Sequence, residues 1–159
     1  MKTIYLYSPD QGYVKFEYNE LTEIKAELDK RGIYIGSNSR IGYNSRIGYN
    51  SSIGYNSRIG DNSRIGDNSR IGDNSRIGDN LRVRTIAFTG SNHHVNYWGE
   101  DLIQIGCKSY SIEVWQSKFA TIGKSEGYTD DQIAEYGRYI DTIAQMHKSE
   151  MLKPIPLNV

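Results

Sequence analysis

Seven arginines recur at multiples of six residues: Arg40, Arg46, Arg58, Arg64, Arg70, Arg76 and Arg82. Where residues 18 apart lie above one another, Arg40, Arg58 and Arg76 form one column and Arg46, Arg64 and Arg82 a second. Tyr34, Ser52 and Arg70 form the third. Stacked guanidinium groups at the spacing of adjacent strands, about 4.8 Å, repel one another, so something must offset the charge. Asp61, Asp67, Asp73 and Asp79 are expected to do this in the later part of the block. Earlier, Tyr43, Tyr49 and Tyr55 stand at the same position. Arginine beside tyrosine without a carboxylate suits an anion that carries a ring, such as a nucleotide. The alternative is that these residues are solvated or line a subunit interface. His93 and His94 are the residues suited to general acid–base work. On a strand they face opposite ways, so at most one shares a site with Asn96 or Trp98. Trp98, in a Tyr-Trp-Gly turn, is a core anchor or a stacking platform. Cys107, after an apolar strand, reads as a buried small hydrophobe rather than a nucleophile. His93, His94 and His147 lack metal-ligand spacing, and no GxxxxGK or GxGxxG loop is present. No metal or cofactor is expected.

The elements that must position these groups are written as a repeat. From Ile35 to Arg82 the chain reads IGSNSR, IGYNSR, IGYNSS, IGYNSR, then IGDNSR three times and IGDNLR, without insertion. One large aliphatic per six residues cannot bury itself alone, but three units make a triangular coil with each Ile on the axis. Glycine permits close backbone approach. Asn tolerates the left-handed conformation a corner needs. Ser is small enough to face inward, and Arg faces solvent. A disordered low-complexity tract has similar composition, but the invariant Ile argues against it. Eight units fall one short of three coils, and residues 83–88 are expected to complete the third.

This pattern resembles the hexapeptide-repeat superfamily. The resemblance implies a mainly β fold, a short left-handed parallel β-helix of about three coils, and a homotrimer. It also implies an alternative function, acyl transfer from acyl-CoA or an acyl carrier protein, with His93 or His94 as general base. The repeats themselves contain neither a histidine nor a projecting loop.

The flanks read as caps for a small core with open ladder ends. TIYLYS and YVKFEY around PDQG predict a hairpin. Asn19 can cap a helix reaching about Lys30, with Leu21, Ile24 and Leu28 on one face and Gly32 ending it. RTIAFTG, HHVNYW and LIQIGC read as strands. Ser111 can cap a helix bearing Ile112, Trp115, Phe119 and Ile122. Thr129 and Gln132 form a capping box for a second helix, with Ile133, Tyr136, Ile140, Ile143 and Met146 or His147 on one stripe. Pro154 and Pro156 mark a tail. The expected segments are 1–34 (hairpin and helix), 35–88 (β-helix), 89–110 (strands) and 111–159 (helices and tail). The stretch TGSNHHVNYWGEDLIQIGCKSYSIEVW, with Gly106, Cys107 and Trp115, followed by a helix with Tyr136 and Tyr139, resembles the tails of small phage and prophage β-solenoid proteins.

Bulk properties narrow the classes. Net charge is +0, which argues against high non-specific affinity for nucleic acid. The repeat block carries seven arginines against four aspartates, a surplus of three positive charges that the rest of the chain balances. The single cysteine excludes an intrachain disulfide and suits a reducing cytoplasm. The first residues lack the apolar core of a signal peptide, and no apolar run approaches ~20 residues. Thirteen tyrosines against three phenylalanines point to partly wet aromatic surface. Three function classes stay open: a non-catalytic binding protein for a small anionic ligand, an acyltransferase, and a structural or adhesion module.

Overall fold

An Ile that recurs every six residues, followed by Gly and an Asn at a corner, dictates very short strands. The computed structural model, which describes residues 1–151 and 154–157, contains nine of them in the repeat. Of the described residues, 1–85 with 154–157 form one unit and 86–151 another.

In the first unit, β1 (Lys2–Ser8) and β2 (Gly12–Tyr18) form an antiparallel hairpin. A 3-10 turn (Leu21–Ile24) leads into α1 (Lys25–Lys30). Glu20, not Asn19, holds the cap position. The reason is Glu23, whose carboxylate accepts from the main-chain N–H groups of both Asn19 and Glu20, at 3.1 and 3.3 Å. Gly32, at φ +62°, ends the helix as expected.

The repeat supplies β3 (Tyr34–Ile35), β4 (Arg40–Ile41), β5 (Ser45–Ile47), β6 (Ser52–Ile53), β7 (Arg58–Ile59), β8 (Arg64–Ile65), β9 (Arg70–Ile71), β10 (Arg76–Ile77) and β11 (Leu81–Val83). They stack as three parallel sheets, β3-β6-β9, β4-β7-β10 and β5-β8-β11, each strand pairing with the one 18 residues on. The fold is therefore mainly β, with the parallel stacking of a β-helix.

Each residue of the repeat has one job. Ile41 to Ile77 are at most 4% exposed and make the axial core. All eight Asn corners take φ between +52° and +59°. Ser51, Ser57 and Ser63 are buried and donate to the carbonyls of Gly66, Gly72 and Gly78, at 2.7 to 3.0 Å. A Cβ on Gly42 would lie 2.5 Å from Asp61 N, so the floor beside the strand must be bare backbone.

The hairpin closes one end of this stack. β1 runs parallel to β5, pairing Ile4 with Ser45 and Leu6 with Ile47, and Ile4 and Leu6 are fully buried. At the other end β16 (Ile155–Pro156) pairs antiparallel with β11, so part of the expected tail is an edge strand. Proline is tolerated there because an edge leaves one N–H side free. The last repeat strand stops at Val83. Residues 86–88, expected to complete a coil, instead belong to the second unit, because Ile86 to Thr89 pair with His94 to Tyr97.

The second unit is an antiparallel sheet of β12 (Ile86–Thr89), β13 (His94–Tyr97), β14 (Leu102–Ile105) and β15 (Lys108–Ser111), followed by α2 (Ile112–Ser125) and α3 (Asp130–Lys148). Both predicted caps are present. Ser111 Oγ accepts from Val114 N, and Thr129 and Gln132 cap each other reciprocally. Val95, Tyr97, Ile103, Trp115, Tyr136, Ile140 and Ile143 form the core. The strand β15 has no counterpart in the sequence reading. It places Cys107 in the two-residue turn Gly106-Cys107, with Gly106 at φ +57°, so this cysteine is exposed rather than buried. Among the described residues no helix is long and apolar enough to cross a membrane.

Candidate functional site

The two arginine columns have different surroundings. Arg40, Arg58 and Arg76 pair in register across β4, β7 and β10. They line an open groove of about 1250 Å³ together with Lys2, Tyr43, Asn38, Asn56 and Asn74. Arg40 and Arg58 are exposed and belong to none of the ion pairs found among the described residues. On one side of the column Asn56 Nδ2 donates to Asn74 Oδ1 at 2.9 Å, a neutral amide ladder. On the other stand Tyr43, Asp61 and Asp79.

Arg46 and Arg64 sit elsewhere, on β5 and β8, in the sheet that β1 and β2 extend. The Arg46 guanidinium lies 5.2 Å from the centre of the Tyr5 ring, and that of Arg64 lies 5.3 Å from Tyr13. These two charges already face aromatic rings, so they are not part of the groove.

The aspartates have a further contact that the repeat pattern did not announce. Asp61, Asp67 and Asp73 use Oδ1 to accept from the main-chain N–H of Tyr43, Tyr49 and Tyr55, at 2.7 to 2.9 Å, and Asp79 does the same for Asp61 N at 2.8 Å. Each carboxylate therefore satisfies a corner N–H one coil earlier while keeping its negative charge. Tyr43, Tyr49 and Tyr55 follow strands of three different sheets, so they do not share a site. Only Tyr43 joins the groove. The Tyr55 hydroxyl accepts from Asn38 Nδ2 at 2.9 Å.

His93, His94 and Trp98 belong to the second unit. His94 is exposed at the start of β13. Trp98 is 1% exposed and donates Nε1–H to Glu100 at 2.8 Å, so its ring offers no face to a ligand. His93 precedes the strand. Its Nδ1 is hydrogen-bonded to the Tyr128 hydroxyl, and the two rings lie parallel, 5.8 Å apart. Burial pushes the Tyr128 phenol up to about 12. Both residues border a cavity of about 40 Å³ walled by Ile105, Trp115, Phe119, Ile122, Ile133 and Ile140. Lys108 and Glu126, an ion pair at 3.1 Å, also line it. His93 thus has one imidazole nitrogen bonded to Tyr128 and an apolar wall beside it.

Sequence reasoning missed Lys2, Tyr128 and the asparagine side of the groove. Lys2 was accessible only if β1 had been read as one more rung of the stack. Tyr128 meets His93 across 35 residues, and no local pattern announces that contact. Among the described residues no group of His, Cys, Asp or Glu side chains could hold a metal ion.

No curated protein and no solved structure matches the chain. Residues 50–85 match the model of the bacterial transferase hexapeptide family (six repeats), so over this segment, which spans most of the second and third strands of each parallel sheet, the chain is similar to hexapeptide-repeat proteins.

Proposed function

We propose that the protein is a non-catalytic binding module, a homotrimer of short left-handed β-helices of about three coils, which holds a small anionic ligand of the nucleotide kind on the Arg40–Arg58–Arg76 face. One observation carries this reading: Arg40 and Arg58 stand in register beside Tyr43, with no ion-pair partner among the described residues, while Arg46 and Arg64 of the neighbouring column lie over tyrosine rings. An anion between stacked guanidinium groups relieves their repulsion and gains charge-assisted hydrogen bonds. Left-handedness and trimerisation are supported by the likeness of residues 50–85 to the hexapeptide family. The eight corner asparagines with positive φ agree with that likeness. The narrowest form of the reading, a cytoplasmic phage protein that sequesters a host signal nucleotide, rests on the resemblance of the tail alone.

A second reading, acyl transfer from acyl-CoA, is favoured by the same family match, since its description is of transferases. It is disfavoured by repeats that contain no histidine.

Native mass spectrometry of the purified protein, alone and with nucleotides, cyclic oligonucleotides, sugar nucleotides and acetyl-CoA, separates the readings. A trimer that retains an unmodified nucleotide, and loses it in Arg58→Glu, supports the binding module. Turnover of acetyl-CoA that is abolished by His93→Ala or His94→Ala supports the enzyme. A trimer that ignores the whole panel is a structural spacer.

A further inference from the structure

The groove has a direction as well as a charge. We infer that its ligand is polyphosphate-bearing, with at least two anionic groups strung along the stacking axis of the solenoid and an aromatic ring against Tyr43. This inference rests on the binding function proposed above.

Three features set the direction. First, Arg40 pairs with Arg58 and Arg58 with Arg76 as direct Cα partners, so the guanidinium groups are raised from the sheet at one strand spacing, about 4.8 Å. A single phosphate can engage neighbouring arginines at one step of this ladder, whereas a chain of phosphates engages successive steps. Second, the groove runs along the axis, since all three arginines line it with Gly42 and Gly60. A Cβ on Gly42 would meet both Asp61 N and Asp61 Oδ1 at 2.5 Å, so the wall beside the column is closely packed backbone with the Asp61 carboxylate tied to it.

Third, the charge is graded. The corner beside the column carries Tyr43 at the first rung and Asp61 and Asp79 at the next two. Lys2 adds a positive charge to the groove and Glu20 a negative one, and the Lys2 ammonium also lies 5.9 Å from the Tyr18 ring. The Arg40–Arg58 step is thus bordered by the Tyr43 ring and one carboxylate, Asp61, whereas the Arg58–Arg76 step is bordered by two, Asp61 and Asp79. A ligand with phosphates on Arg40 and Arg58 places an attached ring within reach of Tyr43, where stacking is available to it. The Asn38, Asn56 and Asn74 side is uncharged and adds no repulsion. Asp61 and Asp79 already accept main-chain hydrogen bonds through Oδ1, which holds those oxygens to the backbone of the preceding rung.

The experiment is titration calorimetry of the full chain with inorganic phosphate, pyrophosphate, tripolyphosphate and ADP at constant ionic strength. Pyrophosphate is expected to bind about tenfold or more tightly than phosphate, since it adds a second set of charge-assisted hydrogen bonds. Arg58→Gln should remove that difference, and Arg40→Gln serves as a second variant should the first fail to fold. ADP should bind several-fold more tightly than pyrophosphate, and Tyr43→Ala should erase this gain. Equal affinity for phosphate and pyrophosphate would overturn the inference and leave the binding function standing. Absence of binding by all four anions would overturn both.

Discussion

Two columns of arginine, built from the same hexapeptide and separated by one corner of the solenoid, have met different fates. Arg46 and Arg64 extend over Tyr5 and Tyr13, which the N-terminal hairpin brings alongside. Arg40 and Arg58 have no such cover and border a groove. The repeat therefore does not decide what an arginine does; the hairpin that extends only one of the three sheets does. This comparison shows how a near-perfect repeat acquires one distinct face. Symmetry is broken by what is added to the edge of a sheet rather than by changing the repeat.

The comparison requires that the core beneath both columns be equivalent, and this can be broken with the largest effect. Ile59 lies under Arg58 and Ile65 follows Arg64, and they are 1% and 0% exposed. Ile59→Ala and Ile65→Ala should each cost about 2–5 kcal/mol, the transfer term plus the cavity left in a narrow core. Denaturant melts of the two variants should agree within about 1 kcal/mol. A much larger cost at one position would place the asymmetry in the core and not at the surface.

The next test separates binding from folding. Charge reversal at Arg58 should weaken anion binding by about tenfold or more, since it replaces an attractive group at the centre of the column with a repulsive one. Arg64→Glu should leave affinity within about twofold, because its guanidinium sits over Tyr13 and outside the groove, and residual long-range effects are screened by salt. Affinity measured for both variants at one ionic strength decides the matter. Equal losses would mean that a diffuse positive field, and not the Arg40–Arg58–Arg76 face, holds the ligand.

The same contrast explains what could be read in advance. The solenoid was legible because each residue type acts through its immediate geometry: Ile by volume, Asn by its tolerance of positive φ, Ser and Gly by size. Period six then carries those local rules around three faces. Helix caps at Ser111 and Thr129 were legible for the same reason. What failed depends on partners distant in sequence or on a choice between near neighbours. Cys107 is exposed because a further strand, Lys108–Ser111, turns back after it. Asn19 yields its cap to Glu20 because Glu23 reaches both main-chain N–H groups. Each of Asp61, Asp67 and Asp73 also meets an N–H 18 residues earlier, a contact visible only once the coils are stacked. The candidate site was half legible. Spacing grouped Arg40, Arg58 and Arg76 correctly, but only the hairpin's position removes Arg46 and Arg64 from it.

A smaller effect sharpens the account of the covered column. In a double-mutant cycle, Arg64→Ala and Tyr13→Leu should couple by about 0.5–1 kcal/mol in folding stability, the usual size of an exposed cation–π contact. Arg58→Ala with Tyr13→Leu should be additive, because no ring covers Arg58 in the same way. A coupling near zero for the first pair would mean that Tyr13 merely lies near Arg64 without holding it.

The smallest expected effect concerns the column that borders the groove, in the absence of ligand. Arg40, Arg58 and Arg76 repel one another through solvent, at a cost of roughly 1 kcal/mol or less per exposed pair at high dielectric. Raising ionic strength from about 0.1 M to about 1 M shortens the screening length from ~10 Å to ~3 Å, below the spacing of the rungs. The ligand-free protein should therefore gain stability, by less than about 1 kcal/mol, when sodium chloride is added over this range. Arg58→Gln removes the middle charge and with it both nearest-neighbour repulsions, so it should flatten most of that dependence. Arg64→Gln should do so less, because part of the Arg64 charge is met by the Tyr13 ring. Melting curves at matched salt concentrations read the difference directly, and equal salt slopes for both variants would mean that the two columns feel the same field.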